Sequence, residues 1–178
     1  LRNNYISYLD NIYLQLKGTA MGTPVAVMYA NITLAYLESS AMATGPYLYM
    51  RYIDDLCVLC TDSNQANNVV HTFNAQCSSI QLEDVTIDSK GVFLDLDIAL
   101  YNNISNNNTD IILKTYQKKI NKYMYIKPTS QHQYSIFHNF IFNELCRYRL
   151  QCTLDYDFRK QVALFNERLV KRGYNKYY

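Results

Sequence analysis

With 178 residues, the chain can hold one compact core and a small appended one, but not two full-sized enzyme domains. Apolar residues make up 49% of it, yet no run reaches the roughly 18 uncharged apolar residues of a membrane span, so no membrane partner is expected. The formal net charge of +2 is too small to identify a nucleic-acid partner by itself, and the placement of the charges has to carry any such reading.

Residues 1–16 carry tyrosines and apolar residues without a clean period and end in Ile12-Tyr13-Leu14-Gln15-Leu16, which alternates like a strand. Lys17-Gly18-Thr19-Ala20-Met21-Gly22-Thr23-Pro24 follows. Two glycines permit a tight loop there, Thr23 is placed to cap a helix, and Pro24 suits its first turn. The helix is predicted over about Pro24 to Ala43, with Val25, Met28, Ile32, Ala35 and Tyr36 on one stripe and no charge before Glu38, the pattern of a helix buried against a sheet. Gly45 and Pro46 end it.

From Tyr47 to Ile53 and from Leu56 to Cys60, two β-type runs flank Asp54 and Asp55, a hairpin with carboxylates at its tip. Asp62, Ser63 and Asn64 offer caps for a second helix to about Ser78, with Ala66, Val69, Val70 and Phe73 inward. Strands are predicted over Ile80 to Ile87 and Val92 to Tyr101. An asparagine-rich loop, Asn102 to Asn108, then leads to a partner strand, Ile111 to Tyr116. After Lys127-Pro128-Thr129-Ser130 the period turns helical, first through Ile136, Phe140, Ile141 and Leu145, then through Phe158, Val162, Phe165 and Leu169, ended by Gly173. The fold class is α+β, strand-rich over 1–127 and helical over 128–178.

The basic residues gather in the second half. Lys114, Lys118, Lys119, Lys122 and Lys127 occur with no acid among them and with Tyr116, Tyr123 and Tyr125 interleaved, a pattern that can grip a nucleic-acid backbone; a solvated strand face explains the lysines almost as well. Five cysteines without framework spacing, behind no cationic-then-apolar leader, suggest free thiols in a reducing, intracellular compartment, although Leu1 is not an initiator Met and a leader can have preceded it. Cys57 and Cys60 spell C-x-x-C but lack a second pair or a nearby His, and read as buried strand cysteines.

Asp54 and Asp55 are the unusual feature. Adjacent carboxylates point apart along an extended strand, but at a hairpin tip both can reach one metal-filled space, and two metals about 3.5–4 Å apart organise phosphoryl transfer. A solvated turn is the plain alternative, weakened by the apolar flanks Met50, Tyr52, Ile53, Leu56 and Val58.

Tyr52-Ile53-Asp54-Asp55 preceded by Arg51 resembles motif C of reverse transcriptases, and Lys17 to Pro24 resembles their motif B, in the expected order. Phe93-Leu94-Asp95-Leu96-Asp97-Ile98 resembles the strand segment that follows. With Lys127-Pro128-Thr129, His132-Gln133-Tyr134, Arg147, Arg149 and Arg172-Gly173-Tyr174, almost the whole chain is similar to the Penelope-like retroelement reverse transcriptases, relatives of telomerase.

The resemblance implies a polymerase palm, an antiparallel sheet backed by helices, followed by a small helical thumb-like region. It implies RNA-directed DNA synthesis on an RNA template and DNA primer from deoxynucleoside triphosphates, with Mg²⁺, or Mn²⁺ in its place, held by Asp54 and Asp55. Lys17, Gly18, Thr19, Ala20, Met21, Gly22, Thr23 and Pro24 would shape the nucleotide and template pocket. In a eukaryotic host the expected compartment is the nucleus. The family's motif A adds a third metal-binding aspartate from a strand before motif B. Asp10 is the only acid upstream and suits a turn, so the chain is expected to be a fragment beginning after motif A and inactive in isolation. Val27 stands where relatives often have proline, and no GIY-YIG-type nuclease follows. Lys90 is read as solvated rather than as a proton donor to pyrophosphate, Asp95 and Asp97 as structural or exposed residues sharing one strand face rather than a third metal ligand, and His132 and His138 as making polar packing or backbone contacts. The alternative from a different class is a domesticated, non-catalytic polymerase-like domain that binds RNA or RNA–DNA duplex as a scaffold.

Overall fold

The computed structural model describes residues 4–16, 18, 20, 22–103 and 108–175. Its elements are β1 (Tyr5–Tyr8), β2 (Asn11–Leu14), α1 (Pro24–Met42), β3 (Leu48–Tyr52), β4 (Asp55–Leu59), α2 (Ser63–Asn74), β5 (Lys90–Phe93), β6 (Leu96–Asn103), β7 (Asn108–Thr115), α3 (Tyr134–Gln151) and α4 (Asp155–Lys171). The fold is α+β and every strand pair among the described residues is antiparallel. Pairing is divided among three small sheets, β1-β2, β3-β4 and β5-β6-β7, instead of one continuous sheet. Two compact units result, Leu1–Val85 and Thr86–Tyr178, so the division falls before β5 and not near Pro128.

In the first unit, β1 and β2 are joined at Leu9 and Asp10, both at positive φ (47° and 63°), the backbone of a tight hairpin turn and the turn role expected of Asp10. α1 follows Pro24 as predicted and packs on α2. The buried stripe, however, is not the predicted one. Leu37 and Ala41, with Leu34 beside them, meet Val69 and Phe73 of α2, while Val25, Met28, Ile32 and Tyr36 lie exposed. Nearly every face of α1 is apolar, so periodicity offered two stripes at helical spacing, and the helix buries the one completed by Leu37 and Ala41. α2 begins where predicted because the Asp62 carboxylate accepts from the backbone N–H of Gln65 at 2.9 Å. No strand forms over 80–87. Asn74 uses its side chain to accept from Leu82 N at 2.7 Å, and Asp84 takes positive φ (52°), so this backbone bonds to a side chain where a strand would need a neighbour.

In the second unit, a turn at Leu94 and Asp95 splits the apolar run predicted as a single strand into β5 and β6. Asp95 and Asp97 therefore do not share a strand face: Asp95 occupies the turn and Asp97 lies on β6. Asp95 is held 2.8 Å from Arg147 of α3, in keeping with the structural role expected of it. Between α3 and α4, Thr153 both donates its N–H to Leu113 O and accepts from Leu113 N through its hydroxyl, each at 3.0 Å, fixing the helix pair against β7. Phe137, Tyr148, Phe165, Leu169 and Tyr174 form the core. α4 ends in a Schellman cap: Gly173 adopts φ +102°, its N–H bonds Val170 O, and Tyr174 N bonds Leu169 O, each at 3.0 Å. That cap turns Tyr174 back into the core, which gives Arg172-Gly173-Tyr174 a structural reason.

Burial pushes the Tyr148 hydroxyl above its usual pKa of 10.0, with Tyr125 and Glu144 adding to the shift and Arg147 opposing it. The native state thus keeps this phenol neutral, while the unfolded chain ionises it near pH 10. The stabilisation is complete below about pH 10 and is lost as pH rises towards the native value. Tyr148→Phe is expected to flatten the alkaline limb of a denaturant-midpoint against pH profile between about pH 10 and 12, with absorbance at tyrosinate wavelengths showing one more late-ionising phenol in the parent chain than in the variant.

Candidate metal and nucleotide site

β3 and β4 alternate faces, and their register sorts the side chains. Tyr49 and Arg51, opposite Val58 and Leu56, face α1 and α2, whereas Leu48, Met50 and Tyr52, opposite Leu59, Cys57 and Asp55, face the other way. A hairpin forms where expected, but since Tyr52 pairs with Asp55 its turn is Ile53-Asp54 and not Asp54-Asp55, and Asp55 belongs to the strand. Asp54 lies in the turn and Asp55 opens β4, both exposed.

Ile53 takes φ +56° while Asp54 stays out of the positive region, the backbone pattern of a II′ turn, whose first central position normally belongs to glycine. A β-branched residue there stores strain of about 1–3 kcal/mol. The strain is held by Arg51. Its Nη1 donates to Ile53 O and to Asn31 Oδ1 of α1, both at 3.0 Å, and its Nε donates to Glu38 Oε1 at 2.5 Å. Glu38 is 6% exposed and is the single acid of α1. Tyr49 lies beside it, and burial first, then the Glu38 charge, pushes the Tyr49 hydroxyl far above the usual phenol range. The sequence signalled this network only faintly, as one acid in an otherwise uncharged helix, and Arg51 was read as part of a motif without a structural role.

Asp54 and Asp55 have no cationic partner among the described residues, in contrast to Asp95 with Arg147 and Asp155 with Arg159. Two uncommitted carboxylates, open to water, are oxygen donors of the type a hard divalent cation takes when it keeps several waters and shares the rest of its shell with phosphates. The donor set therefore fits Mg²⁺ or Mn²⁺ as a partial site. Among the described residues no group of three or more His, Cys, Asp or Glu side chains is arranged to hold a metal. Cys57 and Cys60 are half-buried free thiols, and burial raises both pKa values, Asp62 adding to the rise at Cys60. Neutral thiols, Cys57 on β4 and Cys60 just past its end, agree with packing cysteines.

Of the expected nucleotide-pocket residues, Lys17, Thr19 and Met21 lie outside the described residues. Gly18 and Gly22 take φ +79° and +92°, consistent with a tight loop ahead of α1. Thr23 occupies the N-cap position, but its hydroxyl donates to Ala20 O at 3.1 Å and makes no cap bond, so it braces the loop instead of the helix end. Pro24 opens α1, whose first turn carries no acid.

The lysines lie in the second unit. Lys114 is on β7, 3.9 Å from Asp157, whereas Lys118, Lys119, Lys122 and Lys127 are exposed on an irregular strap over 116–133, not on a strand face. Two of the tyrosines expected to grip nucleic acid are occupied in packing. Tyr125 meets Phe140 and Phe165 with ring centroids 5.2 and 5.3 Å away, and Tyr123 lies under the Arg168 guanidinium at 3.5 Å. His132 bonds Ser130 Oγ through Nδ1 at 2.9 Å, in line with a polar packing role. Lys90 begins β5 and is exposed.

No helix among the described residues is long and apolar enough to cross a membrane. No family model, curated protein or solved structure matches this chain.

Because the II′ position of Ile53 is strained, Ile53→Gly is expected to raise stability by about 1 kcal/mol, the relief exceeding the entropy glycine adds to the unfolded chain. Urea unfolding of the two proteins, compared at equal slope, measures it; a loss of stability would show that the turn is unstrained.

Proposed function

We propose that this chain is the palm and thumb-like part of an RNA-directed DNA polymerase, with Asp54 and Asp55 as two of its metal-binding carboxylates. The observation that carries the reading is the hairpin tip: two adjacent, uncompensated carboxylates held by Arg51 to the helix that follows the Gly18–Gly22 loop. The ordered motif resemblance supplies the reaction class, and this geometry supports it by tying the two motif-bearing elements into one unit.

In this reading Asp54 and Asp55 offer oxygen ligands, with Asp55 on the open face of the hairpin beside Tyr52 and Met50. When bound, Mg²⁺ supplies activation of the primer 3′-hydroxyl and charge neutralisation at the leaving pyrophosphate. The glycine loop lets backbone approach the incoming nucleotide closely, and the acid-free first turn of α1 presents N–H groups suited to a phosphate. The family resemblance calls for a third carboxylate to complete the metal set. The exposed lysines of the 116–133 strap hold the primer–template backbone.

Primer extension on an RNA template with Mg²⁺, by the protein carrying this chain together with its upstream strand, tests the catalytic reading. Asp54→Ala is expected to lower the rate by about a hundredfold or more. Equal rates overturn the catalytic assignment, and absence of extension in both proteins favours the non-catalytic scaffold. In a separate measurement, Lys118→Ala, Lys119→Ala and Lys122→Ala together should weaken RNA–DNA duplex binding and reduce the log–log salt slope by about 2–3. An unchanged slope removes the strap from the binding surface.

A further inference from the structure

We infer that Arg51 is a positioning residue for the Asp54–Asp55 tip, holding the strained turn in the geometry that binds a divalent cation. The inference rests on the polymerase reading above and goes beyond it by assigning a residue that touches neither substrate nor metal.

The argument begins with the cost of the turn. A II′ position filled by isoleucine opposes the backbone pattern, and a free hairpin would escape it by fraying or by moving to another turn type. Arg51 blocks both. Its guanidinium bonds the Ile53 carbonyl within the turn and, on the same nitrogen, Asn31 of α1, while Nε is fixed by Glu38. A planar fork with three anchors cannot shift one without breaking the others, so the turn is referenced to the axis of α1. Glu38 does more than anchor. Arg51 places a positive charge near two carboxylates that are to attract a cation, and the buried Glu38 carboxylate offsets that charge.

Bracing and simple electrostatics predict opposite signs on removing Arg51. If Arg51 acts only as a nearby charge, Arg51→Gln strengthens cation binding. If it braces the turn, the same substitution weakens binding because the carboxylates are no longer preorganised.

Mn²⁺ titration of the complete chain separates them, followed by water-proton relaxation for affinity and by paramagnetic broadening of backbone amide signals for location. Hydrogen exchange reads the turn itself. The parent chain should show broadening centred on Asp54 and Asp55. Arg51→Gln should weaken affinity about threefold or more and speed exchange at these amides, while α1–α2 core amides stay protected. Arg51→Lys, which keeps the charge without the fork, should fail to restore either property. Asn31→Ala removes one exposed bond without disturbing the buried pair, and should give a smaller change in the same direction, so the question stays decidable even if Arg51→Gln unfolds. Unchanged or stronger Mn²⁺ binding in folded Arg51→Gln, or in Asn31→Ala if that protein alone is folded, overturns the brace. Broadening that persists in Asp54→Asn/Asp55→Asn overturns the carboxylate reading itself and the positioning role with it.

Discussion

Glu38 is a carboxylate on the buried side of a helix, and its burial is tolerable only with a cation bonded to it. Arg51 supplies that cation from the neighbouring hairpin, so α1 and β3 are committed to one relative placement before any apolar contact is counted. Taking Arg51 away leaves the Glu38 carboxylate desolvated without its cation, and the cost falls on the placement of the hairpin against α1. The first unit is small and its hairpin is open on one face, and a directional ion pair fixes its geometry where a larger core would otherwise do so. The tip carboxylates inherit that geometry.

The second unit solves its assembly differently. Its core is a stack of rings, with Phe165 meeting Tyr125, Phe140 and Tyr148 at interplanar angles near the edge-to-face arrangement aromatic quadrupoles prefer, apart from a more tilted Tyr125–Phe140 pair. Polar bonds then pin irregular backbone to this core. Arg172 Nε donates to Tyr125 O at 2.6 Å and the Tyr174 hydroxyl to Ile126 O at 2.8 Å, so the end of α4 holds the strap that carries the exposed lysines. The strap needs no regular structure of its own because side chains from a capped helix satisfy its carbonyls. Charge display and core packing thus fall to different residues of one segment: the lysines point to water while Tyr125 and Ile126 point inward.

Which parts were legible in sequence follows from how local their causes are. Asp62, Pro24 and Gly173 act within a few residues of themselves, and the helices they start or end fall where predicted. The hairpin was equally local, although its turn falls one residue earlier than predicted, on Ile53-Asp54. The buried face of α1 was not, because Val25, Met28, Ile32 and Tyr36 make as good an apolar stripe as Leu34, Leu37 and Ala41, and only the partner helix decides. The turn at Leu94 and Asp95 was hidden for a related reason, as aliphatic residues at positive φ break the rule that turns announce themselves with glycine or asparagine. The strand expected over 80–87 failed because one side chain, Asn74, took the backbone bond that the strand would have needed. At the candidate site, the exposure of Asp54 and Asp55 followed from a turn signal in the sequence, whereas the bonds of Arg51 join residues 13 and 20 positions apart and have no sequence spacing to reveal them.

Three hairpins in this chain turn on the same dipeptide pattern, an aliphatic residue followed by aspartate: Leu9-Asp10, Ile53-Asp54 and Leu94-Asp95. Turn chemistry alone therefore cannot mark Asp54 as functional, since aspartate favours such turns wherever they occur. What differs is the surroundings. Asp95 is neutralised by Arg147, and Asp10 is followed by Asn11, which donates to Leu9 O and leaves a single carboxylate on an exposed ribbon. Only at the second hairpin does another acid follow at once, and only there does an arginine reach the turn while spending its charge elsewhere, on Glu38. An arginine able to pair with the turn carboxylates but bonded instead to the turn's carbonyl keeps the tip both rigid and negative. Uncompensated charge beside an arginine bonded to the turn's carbonyl sets Asp54 and Asp55 apart from the acids of the other two hairpins.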